Sequence, residues 1–400
     1  MGDATILQVV PRVETGGSEQ TTVEIAEALA RSGARGLVAT EGGRMATAIT
    51  QHGGEIVTMP VASKNPITMF ANAGRLVRLI ERRGVDLVHA RSRAPAWSAL
   101  IAARRTGRPF VATYHGAYGN PGLIKNFYNS VMARGDRVIA NSHYTADLIA
   151  ARHGVTAGRL RVIYRGVDAG QFDPAAITPG AIAELRAQWG VAPNARVVLQ
   201  AARITGLKGH RVTIEAAALM QSEGALGNTV VVMAGDAPRK GAYRRELMDS
   251  ILRHRLEETV LLVGHCSEMP AAFLTADVTI MPSLVPETFG RTSIEAQAMG
   301  CPVIVSELGA LPETVIPPSQ DAKAFTGWLV PADDAAALAA KIKLALALPP
   351  RDRAALGVRA RRQAAKFSLA QMQRATLAVY DELLGTRLAE RFGGVPAEMA

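Results

Sequence analysis

Short apolar runs alternate with segments of helical length through the first half of the chain. Six of the runs are rich in valine and isoleucine and are bounded by glycine, proline or charged residues, which predicts strands. They cover residues 6–10, 36–40, 56–59, 86–90, 110–114 and 137–140. The segments between them predict helices, for example at 19–31, 68–83, 95–105 and 144–152. This alternation predicts a mostly parallel sheet with helices on both faces.

The alternation stops in one segment and then starts again. Residues 166–180, GVDAGQFDPAAITPG, are rich in glycine and proline, which predicts a linker around 168–180. A second set of strands is predicted at 196–201, 229–234, 259–263, 277–281, 303–306 and 328–330. The chain is therefore predicted to be an α/β protein with two tandem, doubly wound, Rossmann-like domains, at 1–172 and 173–370. The helical segment 371–400 is expected to pack back toward the first domain.

Ligands of open parallel sheets bind in the loops that follow the carboxyl ends of the strands. With two such domains, we expect these loops to face each other across a cleft. Candidate residues are therefore sought where a strand leads into a helix.

One loop of the second domain carries two cations. Residues 202–210, ARITGLKGH, directly follow an apolar strand and precede a helix. Arg203 can bind phosphate oxygens with its fork of donors, while Lys208 adds a movable point charge. Charge on an ordinary surface turn is the alternative. The spacing of the cations and the glycines favour a diphosphate site.

Two glutamates flank the start of a later helix in the same domain. In residues 286–296, PETFGRTSIEA, Glu287 lies in the loop and Glu295 lies about one and a half turns into the helix that starts near Gly290. The helix N-terminus can offer backbone N–H groups to a phosphate. Glu295 can accept both hydroxyl protons of a ribose, and Glu287 would reach a sugar. The alternative is the acid–base pair of a glycoside hydrolase, but a hydrolase needs neither the cationic loop nor the helix end.

The first domain offers weaker signals at two strand ends. Gly16 and Gly17 precede a helix and would let an anion approach its backbone N–H groups, although an ordinary tight turn fits them equally. The G-x-G-x-x-G spacing of a dinucleotide site is absent. His115, next to Gly116, follows the strand at 110–114. A packed structural histidine is the alternative, but the carboxyl end of a strand favours a ligand-facing role.

Composition indicates a folded protein of a reducing compartment. Hydrophobic residues make up 48% and charged residues 20% of the chain, as in globular proteins. The two cysteines, Cys266 and Cys301, provide no disulfide framework. No apolar run reaches roughly 18 residues, and the first residues do not resemble a signal peptide. We therefore expect a cytoplasmic protein, or one peripheral on the inner face of the cytoplasmic membrane.

Positive charge is concentrated in the first part of the chain. The net charge is +10, and residues 1–175 hold 21 Lys and Arg against 13 Asp and Glu. Nine arginines lie within residues 71–110: Arg75, Arg78, Arg82, Arg83, Arg91, Arg93, Arg104, Arg105 and Arg108. They predict an anionic membrane surface or acceptor as a partner, unless they only solvate helix faces. No zinc-finger spacing or aromatic-basic RNA motif accompanies them, so nucleic acid is not expected.

Taken in order, these motifs resemble those of the retaining glycosyltransferase family 4, whose members have the two-domain GT-B architecture. The resemblance covers residues 5–385. It rests on Gly16-Gly17-Ser18-Glu19, the loop at 113–116, Arg203 with Lys208-Gly209, and Glu287-x7-Glu295 within PETFGRTSIEAQAMGCPVI.

The resemblance implies a role for each candidate residue. The catalytic residues would be His115, Arg203, Lys208 and Glu287. The donor-binding residues would be Gly17, Arg203, Lys208, Gly264, His265, Phe289, Gly290, Arg291, Thr292 and Glu295, with the base against residues 263–265. The acceptor-binding residues would be Gly16, Arg91, Arg93, Tyr114 and Tyr118. No metal or other cofactor is expected, because the cations and the helix dipole take the place of a metal.

Three positions depart from the common family pattern. Gly309-Ala310 stands where Gly-Gly is frequent, and Gly235-Asp236-Ala237 stands where Gly-x-Gly is usual. Arg165-Gly166-Val167 stands where Asn-Gly-Val is common. The first two could narrow the space around the donor and change which sugar fits.

The predicted activity is retaining transfer of a sugar from a UDP- or GDP-linked donor to a lipid-linked or saccharide acceptor. The general resemblance is to bacterial enzymes of envelope glycan, lipopolysaccharide or glycolipid synthesis. Two alternatives remain open. One is a nucleotide-sugar epimerase on the same fold, and the other is a non-catalytic homologue that binds a nucleotide.

Overall fold

The computed structural model describes residues 4–14, 16–116, 122–237 and 241–394. The chain divides into two compact units: unit 1 is Met1–Gly166 with Leu369–Ala400, and unit 2 is Val167–Ser368. The segment predicted as a linker belongs to unit 2. There Phe172 is buried and packs against Phe273, with ring centroids 6.3 Å apart. The chain thus leaves unit 1 slightly earlier than its glycine and proline content predicts.

Unit 1 is built on a seven-stranded parallel sheet with the order β3-β2-β1-β4-β5-β6-β7. Its strands are β1 (Thr5–Val9), β2 (Arg35–Thr40), β3 (Glu55–Thr58), β4 (Leu87–Ala90), β5 (Phe110–Tyr114), β6 (Arg137–Ala140) and β7 (Leu160–Val162). Its helices are α1 (Gly17–Arg31), α2 (Ala46–Gln51), α3 (Pro66–Arg83), α4 (Arg93–Thr106), α5 (Leu123–Asn129), α6 (His143–His153), α15 (Leu369–Leu384) and α16 (Leu388–Gly394).

Burial on both faces explains why most strands of unit 1 are visible in the sequence. β1 and β5 are buried along their whole length, as strands covered by helices on both sides are. The sequence does not predict β7, because it has three partly buried residues with Arg161 at their centre. A run so short and polar gives no strand signal.

The C-terminal segment from Leu369 belongs to unit 1. Apolar residues of α15 and α16 share one cluster with Ile6, Ile25 and Leu87. Gln373 in α15 donates from Nε2 to the carbonyl oxygen of Glu24 in α1 at 2.7 Å. The two C-terminal helices therefore complete the core of unit 1.

Unit 2 is built on a six-stranded parallel sheet with the order β10-β9-β8-β11-β12-β13. Its strands are β8 (Arg196–Ala201), β9 (Thr229–Ala234), β10 (Val260–Gly264), β11 (Val278–Met281), β12 (Val303–Ser306) and β13 (Gly327–Val330). Its helices are α7 (Pro179–Gln188), α8 (His210–Ser222), α9 (Ala242–Arg253), α10 (Met269–Thr275), α11 (Arg291–Ala298), α12 (Leu311–Thr314), α13 (Ala335–Leu346) and α14 (Pro350–Ala364).

Each sheet changes its winding direction beside its first strand. β1 lies between β2 and β4, and β8 lies between β9 and β11. These orders confirm the predicted doubly wound, Rossmann-like fold of each unit. A crevice opens at such a switch point, because the loops that leave the two neighbouring strands run to opposite faces. The loops after β8 and β11 in unit 2, and after β1 and β4 in unit 1, are therefore the expected ligand positions.

Candidate functional site

Three loops of unit 2 meet at the carboxyl end of its sheet. A Cβ atom built on Gly209 would overlap the carbonyl oxygen of Pro282, and one built on Gly235 would overlap that of Ala202. Gly209 also has φ +72°, a left-handed conformation that glycine adopts without strain. The two glycines therefore let the loops after β8, β9 and β11 come into direct contact.

A buried glutamine fixes the backbone of Lys208. Gln200 in β8 is 1% exposed, and its Nε2 donates to the carbonyl oxygen of Lys208 at 2.7 Å. Its Oε1 accepts a hydrogen bond from Thr213 Oγ1 at 2.8 Å. On the other side of the loop, the backbone N–H of Leu284 donates to the carbonyl oxygen of Leu207 at 2.9 Å. The cationic loop is thus tied to β8 and to the loop after β11.

Lys208 and Glu287 form an ion pair, although they lie 79 positions apart in the sequence. Nζ of Lys208 contacts Oε1 of Glu287, and the same oxygen accepts a hydrogen bond from Ser283 Oγ at 2.8 Å. The two side chains are 24% and 19% exposed, so the pair is partly desolvated but remains accessible. The N–H of Ala310 donates to the carbonyl oxygen of Glu287 at 2.8 Å. Both charged groups are therefore held in place.

A small cavity lies beside this pair. Its volume is about 170 Å³, and it is lined by Gln200, Ala201, Ala202, Arg203, Lys208, Met281, Ser283 and Thr292. About 10–15 Å³ of such volume holds one water molecule, so the cavity has room for phosphoryl groups. The two cations and the backbone that line it suit an anion.

The start of α11 borders the same cavity. Gly290 precedes the helix with φ +104°, and Thr292 Oγ1 donates to the carbonyl oxygen of Ala201 at 3.4 Å. Arg291 Nε donates to Glu295 Oε1 at 3.1 Å, with the side chains 19% and 15% exposed. The carboxylate predicted to bind a ribose is therefore oriented by an arginine one helical turn before it.

Phe289 has a different environment from the other predicted donor residues. Its side chain is 2% exposed and packs against Phe367, with ring centroids 5.7 Å apart. The ring is thus part of the unit 2 core. Phe289 can therefore contact a sugar donor only through its backbone.

The loops after β9 and β10 join the cationic loop. The N–H of Ile204 donates to the carbonyl oxygen of Asp236 at 2.9 Å, and the N–H of Gly235 donates to that of Gly264 at 2.7 Å. His265 Nδ1 lies 3.4 Å from Asp236 Oδ2, and both side chains are more than half exposed. The structure therefore brings residues 263–265, predicted to lie against the nucleotide base, next to the loop at 202–210, predicted to bind the diphosphate.

A larger cavity of about 760 Å³ lies along the edge strand β10. Apolar side chains such as Trp189, Met248 and Leu252 line it, together with His265. Neither Arg203 nor Lys208 contributes to its lining. Arg203 and Lys208, the two cations predicted to bind the diphosphate, line the smaller cavity.

In unit 1, His115 is bonded to an arginine from a distant segment. Nη2 of Arg165 donates to Nδ1 of His115 at 2.8 Å. The same guanidinium lies so close to Gly17 that a Cβ atom there would overlap Nη1. Burial of the imidazole, together with the positive charges of Arg165 and Arg91 and with His89, holds the pKa of His115 well below its usual value.

Two of the predicted acceptor residues are buried in unit 1. Arg91 is 2% exposed and donates from Nε to Gln8 Oε1 at 2.7 Å. Tyr114 is fully buried, and its hydroxyl lies 3.5 Å from His153 Nε2. Neither side chain is offered to solvent in this structure. An acceptor contact by either of them stays a prediction that the geometry does not favour.

The other predicted acceptor residues differ in setting. Arg93 Nη1 donates to Asn129 Oδ1 at 2.8 Å, at the start of α4. Gly16 precedes α1, and the carboxylate of Glu19 lies against it. Tyr118 lies outside the described residues. Their roles toward an acceptor stay predictions.

Most arginines of the stretch at 71–110 contact neighbouring side chains of unit 1. Six of its nine arginines bond or pair with neighbouring side chains of unit 1. These are Arg75 with Asn72, Arg83 with Glu55, Arg91 with Gln8, Arg93 with Asn129, Arg104 with Asp136, and Arg108 with Asp86. Much of the positive charge of this stretch is therefore engaged in contacts within unit 1.

Three further residues, not predicted from the sequence, contact the candidate residues of these sites. Gln200 donates a hydrogen bond to the backbone of Lys208, Ser283 bonds to Glu287, and Arg165 bonds to His115. A signal existed for each of them. Gln200 is a polar residue near the end of an apolar strand, Ser283 follows a strand end, and Arg165 departs from the asparagine common in the resembling family.

Comparison with known proteins covers both units. Residues 15–171 match Glycosyltransferase Family 4, and residues 181–363 match Glycosyl transferases group 1. The two matched segments together span most of the chain and contain every candidate residue named above.

Three relatives are informative. The solved glycosyltransferase from Rickettsia africae ESF-5 is 32% identical, with a TM-score of 0.87 over 97% of this chain and 100% of that one. D-inositol 3-phosphate glycosyltransferase of Kineococcus radiotolerans is 32% identical over 268 residues, which are 65% of this chain but only 60% of that protein. HepE of Anabaena, solved in complex with UDP-glucose, is 24% identical over 95% of this chain and 100% of its own, and its TM-score of 0.82 shows a common fold.

These matches agree with the order of motifs in the sequence. They extend over both units, and the Rickettsia protein matches along its full length. The chain therefore belongs to the family 4 type of glycosyltransferases, with the GT-B fold.

Proposed function

We propose that this glycosyltransferase moves a sugar from a UDP- or GDP-linked donor to a lipid-linked or saccharide acceptor, with retention at the anomeric carbon. The observation that carries the proposal is the Lys208–Glu287 pair beside the cavity that Arg203 and the start of α11 line. The proposal is supported because a lysine, which suits a diphosphate, lies next to a glutamate, which suits the hydroxyl groups of a sugar. The UDP-glucose bound to HepE supports a nucleotide-sugar donor.

In the proposed reaction, the bond between the anomeric carbon and the phosphate oxygen breaks as the bond to the acceptor oxygen forms. Negative charge then develops on the departing diphosphate. Arg203, Lys208 and the N–H groups at the start of α11 stabilise that charge. The acceptor proton passes to an oxygen of the leaving phosphate on the same face of the sugar, which accounts for retention. The mechanism requires no metal ion, because the protein supplies the positive charge.

The ion pair prepares the site for this step. An arriving diphosphate shares Lys208 with Glu287, so the ammonium is already oriented when the ligand binds. Glu287, held by Ser283, then accepts hydrogen bonds from sugar hydroxyl groups. His115 stays neutral and adds no positive charge near the cation-like anomeric centre, since its pKa is held low.

A thermal-shift screen against UDP, GDP, ADP and their sugars, with EDTA present, tests the donor site. A ligand at about 100 times its Kd adds about 2.7 kcal/mol of stability, which should raise the melting temperature by about 5–10 °C for a unit of this size. We expect one base to be favoured. Stabilisation by none of these ligands would contradict the proposal. Binding without turnover would identify a non-catalytic homologue, and sugar conversion without an acceptor would identify an epimerase.

The acceptor is proposed to carry negative charge. The curated relative from Kineococcus is named for an inositol phosphate, which supports an anionic acceptor. Unit 1 also holds the larger share of the positive charge, since residues 1–166 and 369–400 together contain 24 Lys and Arg against 15 Asp and Glu. An envelope glycan or glycolipid intermediate fits this description.

A membrane surface is proposed as the place where unit 1 meets a lipid-linked acceptor. The apolar side chains Ile67, Phe70, Leu123, Ile124 and Phe127 are between 61% and 89% exposed, and we term them the α3–α5 patch. α4 joins the two helices, because Ser98 bonds to the backbone of Met69 and Trp97 to the backbone of Tyr128. Arg105 and Arg134 lie over the Phe70 and Phe127 rings. No helix in the described part of the chain is long and apolar enough to cross a bilayer.

Vesicle sedimentation tests the patch. The wild-type protein should bind vesicles that contain phosphatidylglycerol better than neutral vesicles, and added salt should weaken the binding. Leu123→Ser and Ile124→Ser should each lower binding at least about tenfold, because a buried leucine or isoleucine contributes about 1.5–3 kcal/mol. Leu252→Ser is the matched control, since Leu252 is 62% exposed in unit 2. Equal binding by all variants would exclude the patch.

A further inference from the structure

The contact between Arg165 and His115 has a defined direction. A guanidinium carries only donors, so the nitrogen it bonds must accept. Nη2 of Arg165 lies 2.8 Å from Nδ1 of His115. Nδ1 therefore has no proton, and a neutral His115 must carry its proton on Nε2. The arginine thus selects one of the two neutral forms of the ring.

The surroundings of His115 also oppose its doubly protonated form. His89 of β4 and Arg91, which directly follows this strand, lie near His115, and the segment after β7 places Arg165 against it. Glu24 of α1 acts on Arg91 in turn, and the hydroxyl of Tyr380 in α15 lies 2.7 Å from His89 Nδ1. A second proton on His115 would face the positive charges of Arg91 and Arg165. It would also have to displace Arg165 from Nδ1.

Gly17 makes room for this contact. It lies at the start of α1, and an added Cβ atom there would overlap the Arg165 guanidinium. Since the obstacle is the end of a flexible side chain, an alanine at this position would push the guanidinium away instead of unfolding the helix. Gly17 therefore permits the contact through which Arg165 acts on His115.

We propose that Arg165 is a positioning residue that holds His115 as the Nε2-protonated ring, so that Nε2 donates a hydrogen bond to a hydroxyl oxygen of the bound sugar. The sugar contact rests on the proposed function; the state of the ring does not. The asparagine common at this position in the resembling family can donate or accept, so it would not impose one tautomer.

Nitrogen-15 NMR of histidine-labelled protein without substrate tests the state of the ring. In the wild type, Nδ1 of His115 should be unprotonated and Nε2 protonated throughout the range where an ordinary histidine titrates, around pH 6.5. Arg165→Asn should allow both tautomers and raise the pKa toward that ordinary value, because a neighbouring positive charge is gone. Arg165→Lys keeps a cationic donor and should retain the wild-type tautomer. An unchanged ring in Arg165→Asn would overturn the proposal.

Kinetics test the consequence for transfer. Arg165→Asn should lower kcat about 10- to 100-fold through lost orientation, with a smaller change in KM for the donor. The acid limb of its pH profile should move up toward about pH 6.5, since a protonated His115 repels the cation-like transition state. A uniform loss of activity with the acid limb unmoved would indicate a merely structural role and contradict the proposal.

A double substitution separates this contact from general damage. Gly17→Ala should reproduce the tautomer change and the shifted acid limb, and should add little in the Arg165→Asn background. Gly74→Ala is the matched control, because Gly74 also lies in a helix of unit 1 and an added Cβ there would meet no atom closer than 3.9 Å. Independent, additive effects of Gly17→Ala and Arg165→Asn would contradict the inference. A correct tautomer without any transfer would count against the proposed function alone.

Discussion

Replacement of Lys208 by alanine is expected to lower turnover about 100- to 1,000-fold. Removal of one preorganised group that stabilises developing negative charge has an effect of this size. Lys208 lines the cavity together with Arg203, and its backbone is fixed by Gln200. The variant should stay folded, because the ion pair with Glu287 is partly exposed and such pairs contribute little to stability.

Lys343→Ala is the matched control for that variant. Lys343 also forms an ion pair in unit 2, with Glu223, but the two side chains are 37% and 51% exposed and lie on α13 and just after α8. This control should keep wild-type turnover. Initial rates and melting curves of both variants check the expectation. Near-normal turnover of Lys208→Ala would remove Lys208 from the mechanism.

Gly209→Ala is expected to abolish most activity by moving the cationic loop. The residue has φ +72°, which costs an alanine about 1–2 kcal/mol. In addition, the new Cβ atom would overlap the carbonyl oxygen of Pro282, so the loop must withdraw from the segment after β11. A displacement of about 1 Å can lower the rate about 100-fold, and we expect a loss of at least this size.

Gly224→Ala separates the displacement of the loop from the cost of the left-handed conformation. Gly224 has φ +66° in unit 2, and an added Cβ there would meet no atom within 4 Å. It should lose a similar 1–2 kcal/mol of stability and keep its turnover. Chemical denaturation and initial rates of both variants are the measurements. Equal turnover in the two variants would show that the packing of Gly209 against Pro282 is irrelevant to activity.

The sheets and the unit 2 site were largely predictable, because both depend on local signals. Strands buried on both faces appear as short runs of valine and isoleucine, so β8 and β12 are predicted at their observed bounds. In a parallel sheet the carboxyl ends of all strands lie at the same edge. The residues after β8 and β11 therefore had to be neighbours, and Lys208 and Glu287 are.

Contacts made by side chains across the fold were not predictable. Nothing local shows that Arg91 is buried against Gln8, or that most arginines of 71–110 are engaged within unit 1. The same holds for Arg165, which reaches His115 across 50 positions of sequence. Such pairings depend on which strands become neighbours and on the exact reach of long side chains. Composition and spacing carry neither kind of information.

The proposed function depends on the Lys208 loop binding a diphosphate without a metal ion. Calorimetric titration of the preferred nucleoside diphosphate and its monophosphate, in EDTA, tests it most directly with the wild type and Lys208→Ala. A charge-assisted hydrogen bond contributes about 1.5–3 kcal/mol, so the variant should bind the diphosphate at least about tenfold more weakly and the monophosphate nearly as well as the wild type. Equal affinity of both proteins for the diphosphate, or binding only after a divalent metal is added, would contradict the account.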